Sequence, residues 1–593
     1  MVHSSGVIEM LRLEGNLALP ETLYSAEGFK VSFTYLPFNN GQRRLHTVTD
    51  GQGVTLLEIN RPAQAVEILL RPDGTPGGAL ARFEMKLRNS GSGDEVFEVI
   101  LPTDDQDKWQ FTYQTVNGLL CITEVKTPVG GHETIEYDGD GHDYPGNARP
   151  PLPRVWKHII DPRFGQPSLE VRYDYNTRDL PGSSNNFLGN NAPITWDDRG
   201  LDNLYQVTSR YQYGTTERHF VAGAEVRFIE RTFNRFHLIS EEKTTQGNNV
   251  QQVLTHYYAD DDLDKSFSSQ PPQCQLPRSV ETRWSLVDNS TPPHSQTVLT
   301  SHDTHGNLTE QVQANGIKEQ FEYFPLLGTP GECPADPQGF VRNLRQKTVT
   351  PAPGREAGAP VLRTRNRFAL MPPLKGTPQD ASSNWLVLTD ETLYEVKGTQ
   401  EIQLQLSAYA TFNVPTNPLL HGRRQQQAIT LNSLTTTTDY AYKTLIGTYT
   451  GETVLQTTQT LTGYDHGVNG THTQKVVIEE HSLLHGETLL ARDDNDVEIR
   501  TTYDALLRVT SETVAPNNIN YEATRSYRYF LSNGPDGQAS QVVTDVKGVQ
   551  TKTLFDGLNR AIREQRQDKD HQSGAKADEF GIPTGPVMTD WGN

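Results

Sequence analysis

Gly130, Gly316, Asp496 and Gly548 each stand seven residues before an aromatic ring: Tyr137, Tyr323, Tyr503 and Phe555. In a chain of 593 residues with 48 Gly, 23 Tyr and 21 Phe, that spacing alone carries little weight. The intervening residues carry more. After Gly316, the positions Ile317, Glu319, Phe321 and Tyr323 alternate with Lys318, Gln320 and Glu322. After Asp496, Val497, Ile499, Thr501 and Tyr503 alternate with Glu498, Arg500 and Thr502; after Gly548, Val549, Thr551, Thr553 and Phe555 alternate with Gln550, Lys552 and Leu554. Residues two apart on a strand share a face, so each segment reads as a turn residue feeding a half-buried strand that ends in a ring. One such unit cannot bury its apolar face alone, so a chain built from them lays the units side by side.

An Asp follows the ring in Tyr137-Asp138, Tyr503-Asp504 and Phe555-Asp556. Its carboxylate can accept the backbone N–H two residues on, which predicts a second turn at the far end of the strand. Tyr503-Asp504-Ala-Leu-Leu507-Arg508 matches Phe555-Asp556-Gly-Leu-Asn559-Arg560, and His302-Asp303-Thr-His-Gly306-Asn307 is a looser copy. Gly and Asn tolerate positive φ and Leu does not readily, so the turn at Leu507 is expected to be distorted. Further Tyr/Phe pairs at spacing two occur at Tyr173/Tyr175, Tyr211/Tyr213, Phe321/Tyr323, Tyr440/Tyr442 and Tyr527/Tyr529, and no long stretch repeats with a helical period. The chain reads as all-β.

Composition agrees. Apolar residues make up 34%, or about 42% with the 48 Gly, slightly below the usual ~45–50% of a packed globule. The net charge of −20 disfavours nucleic acid as a partner, because phosphate contacts need a basic footprint. Basic runs do not exceed Arg43–Arg44 and Arg423–Arg424, which gives anionic membranes little to hold, and no apolar run is long enough to span a bilayer. The start, Met1-Val-His-Ser-Ser-Gly, lacks the charged and apolar regions of a secretory signal. Cys121, Cys274 and Cys333 form no CxxC; Cys274 and Cys333 both sit in proline-bearing loops, but reduced thiols are the expected state.

Few groupings suggest chemistry. His132, Glu133, Asp138, Asp140, His142 and Asp143 are dense enough to consider a metal, but His132 and Glu133 fall on opposite faces of the predicted strand. Asp260, Asp262 and Asp264 have calcium-loop spacing, yet Lys265 and Pro271 stand where Gly and Glu are needed. His481 and His485 are four apart on what reads as a strand ending in a turn. These are expected to be hydrated turns and surface groups. There is no GxSxG elbow, Walker loop or dinucleotide fingerprint, so neither a catalytic residue, a metal nor a cofactor is expected.

The ring-Asp-x-x-Gly-Arg pattern, preceded by a Gly turn and an alternating strand, resembles the RHS or YD repeat of bacterial toxins. The resemblance is carried at His302–Tyr323, Asp493–Arg508 and Thr544–Arg560, with departures at Asn307, Leu507 and Asn559. Gly118–Val125, Pro128–Tyr137, Asn186–Gly189 and Asp202–Tyr205 add a likeness to large RHS toxins of pseudomonad type. The repeat positions it marks are Gly130, Tyr137, Asp138, Asp303, Gly306, Gly316, Tyr323, Tyr503, Asp504, Arg508, Gly548, Phe555, Asp556 and Arg560. In that family hairpins spiral into a hollow β shell around a C-terminal toxin, as in the B and C subunits of ABC insecticidal toxin complexes and in type VI effectors. The resemblance implies a curved or spiral, partly hollow shell, open or incomplete, that encapsulates and helps deliver a toxin. The expected partners are the rest of the shell, its toxin domain and a translocation component. Synthesis in the bacterial cytoplasm and export within a larger toxin are expected too.

The array is expected to run through 1–346 and 386–593, joined by a Pro/Gly/Ala-rich connection or excursion at 347–385, with shorter linkers at 268–275 and 329–338. The family's Asp-Pro-x-Gly-rich closing core has no counterpart beyond an isolated Asp161-Pro162-Arg163-Phe164-Gly165, so the chain is expected to be a segment of a larger shell. Two other classes stay open: a carbohydrate or cell-surface binding module, with a glycan as its ligand, and a polysaccharide-processing enzyme using paired carboxylates.

Overall fold

The computed structural model describes residues 1–567 except 16, 39–40, 76, 92, 145–147, 177–211, 260–264, 355–357, 379–383, 467–470 and 535–536. Numbered in chain order, its strands run from β1 (Ile8–Glu14) to β36 (Ala561–Arg566). The described residues carry no α-helix, only 3-10 turns such as Phe267–Ser269. The protein is all-β.

The topology is a meander. Each strand pairs antiparallel with the one before it and the one after it, as in Ile8–Glu14 with Leu17–Tyr24, Leu17–Tyr24 with Lys30–Pro37, and so on to Gln550–Phe555 with Ala561–Arg566. Extensive strand-to-strand contact is confined to these chain neighbours. All the described strands belong to one sheet. Buried polar side chains are as numerous as buried apolar ones, Glu98, Asp107, His421, Glu480 and Asp556 among them, beside Leu69, Val454 and Leu490. A single layer has no deep apolar core to offer.

In a meander, successive turns alternate between the two edges of the ribbon. Turns after even-numbered strands lie on one edge (the near edge), and turns after odd-numbered strands on the other (the far edge). The ribbon comes back past its own beginning, and the two passes are joined through these edges. Arg342 Nη1 donates to the Ser4 carbonyl, 338 residues away. The Leu374 N–H donates to Glu27 O at 2.7 Å, and Arg71 Nη2 to Leu483 O at 3.3 Å. The Ser532 N–H donates to Pro128 O at 2.8 Å, and the Gly557 N–H to Pro162 O at 2.7 Å. The Asn533 N–H reaches the Asp107 carboxylate at 2.9 Å, and its side-chain amide the Gln106 carbonyl at 3.1 Å.

Every first-pass partner lies at the near edge and every second-pass partner at the far edge. That is the geometry of a ribbon climbing as a spiral, one edge resting on the other. We call this line of contacts the seam.

Where the passes touch most closely, only glycine fits. A Cβ on Gly557 would lie 2.3 Å from Gly131 Cα, and one on Gly131 would lie 2.4 Å from the Gly557 carbonyl oxygen. The fully buried Asp556, gripped by Arg560 at 2.6 Å, holds the turn that brings Gly557 into place.

Two expected linkers are parts of the wall. Residues 347–385, expected as a connection or excursion, contain the strand Val361–Met371, paired with Leu344–Thr350 on one side and Trp385–Lys397 on the other. Prolines at 351, 353, 360, 372 and 373 bracket this strand and mask its alternation in the sequence. Residues 329–338 form a seam loop, closed by the Thr329–Cys333 bridge and by Asp336, which holds Arg342 at 2.9 Å.

Replacing Gly557 by Ala should cost about 1–3 kcal/mol, because the backbones must separate to admit the methyl group. Denaturant unfolding and hydrogen exchange at the Ser532 and Asn533 amides would read it. Unchanged midpoint and protection would contradict the seam as drawn.

Candidate functional site

Both sequence signals resolve into one five-residue turn. At Asp504, its N–H donates to Arg508 O at 3.0 Å, and the Leu507 N–H donates to Asp504 O at 2.9 Å. The carboxylate accepts the N–H groups of Leu506 at 2.9 Å and Arg508 at 3.0 Å. Asp556 repeats the pattern toward Leu558 and Arg560, and Asp303 toward His305 and Asn307. The fifth residue then closes on the free carboxylate oxygen: Arg508 at 2.7 Å, Arg560 at 2.8 Å and Asn307 at 3.0 Å. Asp303 is held below its ordinary pKa; burial opposes the charge, but the bonds from Asn307 and His305 prevail.

The glycines are the fourth residues of the same turn on the near edge. Gly548 belongs to Asp545–Val549, Asp496 to Asp493–Val497, Gly316 to Gln313–Ile317 and Gly130 to Thr127–Gly131. All occupy the left-handed region, with φ of 74° at Gly548, 58° at Asp496, 86° at Gly316 and 91° at Gly130. This is the three-residue hairpin loop whose last residue forms a left-handed bulge.

Two expectations change here. The turn at Leu507 is not distorted: its hydrogen bonds match those at Asp556, and Leu507 itself takes φ +60° against +59° at Asn559. The strain sits in one leucine, at a cost of about 1–2 kcal/mol. At Tyr137-Asp138 the strand does not end but continues to His142 through bulges. Asp138 still accepts the Asp140 N–H at 3.0 Å, but its other partner is Arg154 from the next strand, at 3.0 Å.

Six tyrosines share one task. Tyr503 donates its hydroxyl to Thr488 O at 3.0 Å, Tyr137 to Ile122 O at 2.9 Å and Tyr35 to Pro20 O at 2.8 Å. Tyr113 does the same to Val96 O at 2.7 Å, Tyr175 to Val155 O at 2.9 Å and Tyr257 to Ile239 O at 2.9 Å.

In each hairpin the accepting residue lies two positions past the last ladder pair, and the tyrosine three past it on the partner strand. For Tyr503 that last pair is Leu490↔Arg500; for Tyr137 it is Glu124↔Thr134. The strands separate there, and the phenol satisfies a carbonyl that the ladder has released.

Phe555 departs consistently. Its ladder runs on to Ser540↔Leu554, and the Phe555 N–H itself bonds Ala539 O at 2.9 Å, so no carbonyl is left for a hydroxyl. Tyr323 stands three residues past its own last pair, Glu310↔Gln320; burial, with the Asp303 charge, raises its pKa. Burial likewise raises the pKa of Tyr35, Tyr113, Tyr137, Tyr175, Tyr257 and Tyr503.

The spacing of seven is thus a short ladder read out in sequence. Two members were overlooked in the sequence. Gly28, at φ +93°, precedes Tyr35 by seven, a signal open to inspection. Gln106, at φ +53°, precedes Tyr113 by seven, but the left-handed residue is no glycine and gives no cue.

The groupings considered for metals are dispersed. His132 pairs with Glu124 at 2.5 Å while Glu133 pairs with His158 at 2.8 Å, on the opposite face. His481 bonds Thr488 Oγ1, and His485 accepts the Glu487 N–H. Among the described residues no three His, Cys, Asp or Glu converge. Asp260, Asp262 and Asp264 lie outside the described residues, as do 186–189 and 202–205. Cys121, Cys274 and Cys333 are free thiols, and burial pushes Cys333 up to about 11. The described residues include no helix long and apolar enough to cross a membrane.

Among solved structures, the chain is similar to the crystal structure of TcdB2-TccC3, at TM-score 0.36 and 11% identity, over 94% of this chain and 37% of that one. It is also similar to a Photorhabdus luminescens Tc holotoxin pore carrying a TccC3 mutation, at TM-score 0.25 and 9% identity, over 93% and 26%. The chain spans about a third of the length of the solved structures it matches. No family model and no curated protein matches the sequence.

Replacing Tyr503 by Phe should cost about 1–3 kcal/mol by orphaning the Thr488 carbonyl, measured by denaturant midpoint. Phenols whose folded pKa is raised contribute stability that is complete below about pH 10 and lost as pH climbs through the raised values. Alkaline unfolding should accordingly coincide with tyrosinate absorbance, and an array stable once its tyrosines ionise would contradict the capping role. Leu507→Asn should gain about 1 kcal/mol by relieving the left-handed leucine.

Proposed function

We propose that this chain is a structural segment of the shell of a bacterial RHS-type toxin, enclosing a toxin domain and aiding its delivery, without catalysis of its own. The observation that carries this reading is the continuous single-sheet meander that returns on itself edge to edge. A chain that commits dozens of strands to one layer makes area, and area joined along a seam bounds a volume. The turn and tyrosine motifs support it, since they serve the ladder rather than a substrate. In this reading the partners are the remainder of the shell, the enclosed toxin and a translocation component, and the chain travels out of the producing bacterium as part of the larger toxin.

Negative-stain or cryo-electron microscopy of the purified chain should show a curved wall around an open space. Compact beads of separate globular domains would overturn the proposal.

A further inference from the structure

Asn533 donates three hydrogen bonds, and all of them cross the seam. Its backbone N–H reaches the Asp107 carboxylate at 2.9 Å, and its side-chain amide reaches the carbonyls of Asp105 at 3.3 Å and Gln106 at 3.1 Å. The accepting turn is acidic: Asp104 and Asp105 are exposed, and Asp107 is fully buried. Gly534 follows Asn533. Before a glycine, which has no Cβ to stand in the way, an asparagine side chain is open to attack by the next backbone nitrogen. Asn117–Gly118 and Asn315–Gly316 are the same pairing. Asn117 donates to Gly139 O and Pro151 O within its own pass, and Asn315 accepts the Ile317 N–H within its own hairpin. Of these three pairs, only Asn533–Gly534 joins the two passes.

We propose that Asn533–Gly534 is a self-modification site, and that its hydrolytic deamidation holds the seam open at this point. The Gly534 nitrogen attacks Asn533 Cγ and forms a C–N bond; the Cγ–Nδ2 bond breaks, and ammonia leaves with the Gly534 proton. Water then cleaves one C–N bond of the succinimide, giving aspartate or isoaspartate. Water is the only co-reactant, and Asn533 is exposed to it. The closed seam restrains both reacting groups. The Gly534 N–H donates to Leu531 O at 3.0 Å, and the amide is fixed on its two carbonyls. The reaction therefore belongs to moments of local opening. Afterwards a carboxylate, which only accepts, faces the Asp105 and Gln106 carbonyls without a hydrogen to offer. It also adds a negative charge beside Asp104, Asp105 and Asp107. Arg528 lines the cleft beside this turn, but a cation there does not restore the two lost donors. Isoaspartate lengthens the main chain by one atom next to Gly534, which is buried; a Cβ at Gly534 would already lie 2.9 Å from Phe530 Cβ. Either product disfavours closure, so the step runs one way. The inference rests on the seam contacts and is independent of what the wall encloses.

Peptide mass spectrometry of the full chain, held for days in mildly alkaline buffer to favour loss of the Gly534 proton, follows conversion at Asn533, with Asn315 as the internal reference. In Gly557→Ala, whose passes are forced apart, Asn533 should convert at least about fivefold faster than in the native chain while Asn315 keeps its rate. A second variant, Asn533→Asp, carries the product from the start. Its Ser532 amide, bonded to Pro128 O in the closed seam, should exchange hydrogen about tenfold faster than in the native chain, with an unchanged circular dichroism spectrum. Equal Asn533 rates in the native and Gly557→Ala chains overturn the proposal, as does native protection of Ser532 in Asn533→Asp.

Discussion

A single layer of sheet has to satisfy its backbone and its turns without help from a second layer, and the five-residue turn is where this protein does so. A carboxylate or hydroxyl at the first position takes up N–H groups that a hairpin bend would leave to solvent, and a left-handed fourth residue lets the strands part with the right twist. The turn recurs at both edges, with Asp504, Asp556 and Asp303 on one and Asp545, Asp493 and Thr127 on the other. Each copy sets the register of the strand that follows it, and through that register the position of the ring.

The tyrosines follow from the same geometry. Near-edge hairpins such as Lys126-to-His132 pair for only three residues before their strands diverge to other neighbours. Divergence releases a carbonyl, and a phenol three residues beyond the ladder reaches it. Tyr503 and Phe555 differ in what they face: one meets a released carbonyl, and the other does not. Where the backbone N–H of the ring residue continues the ladder, the hydroxyl has no work and is absent.

The seam then supplies what the wall lacks. Its bonds are mainly backbone groups and buried carboxylates rather than apolar contacts, which is how a chain with 34% apolar residues holds two passes together. The close approach of Gly131 and Gly557 shows how little space separates them.

All-β character, the turn–strand–ring unit and the Asp that ends it were legible in the sequence, because alternation and turn chemistry are local. The strand Val361–Met371 was hidden by the prolines around it, and the turn at Tyr137-Asp138 was misread because a bulge looks locally like a turn. Tyr113 was invisible, since its left-handed partner is a glutamine. The tertiary structure alone decided what the rings bond and which turns meet. The Thr488 carbonyl lies fifteen residues from Tyr503, and Pro162 lies several hundred from Gly557. Local spacing fixes the pitch of each hairpin, but only the accumulated twist of the whole ribbon brings one edge over the other.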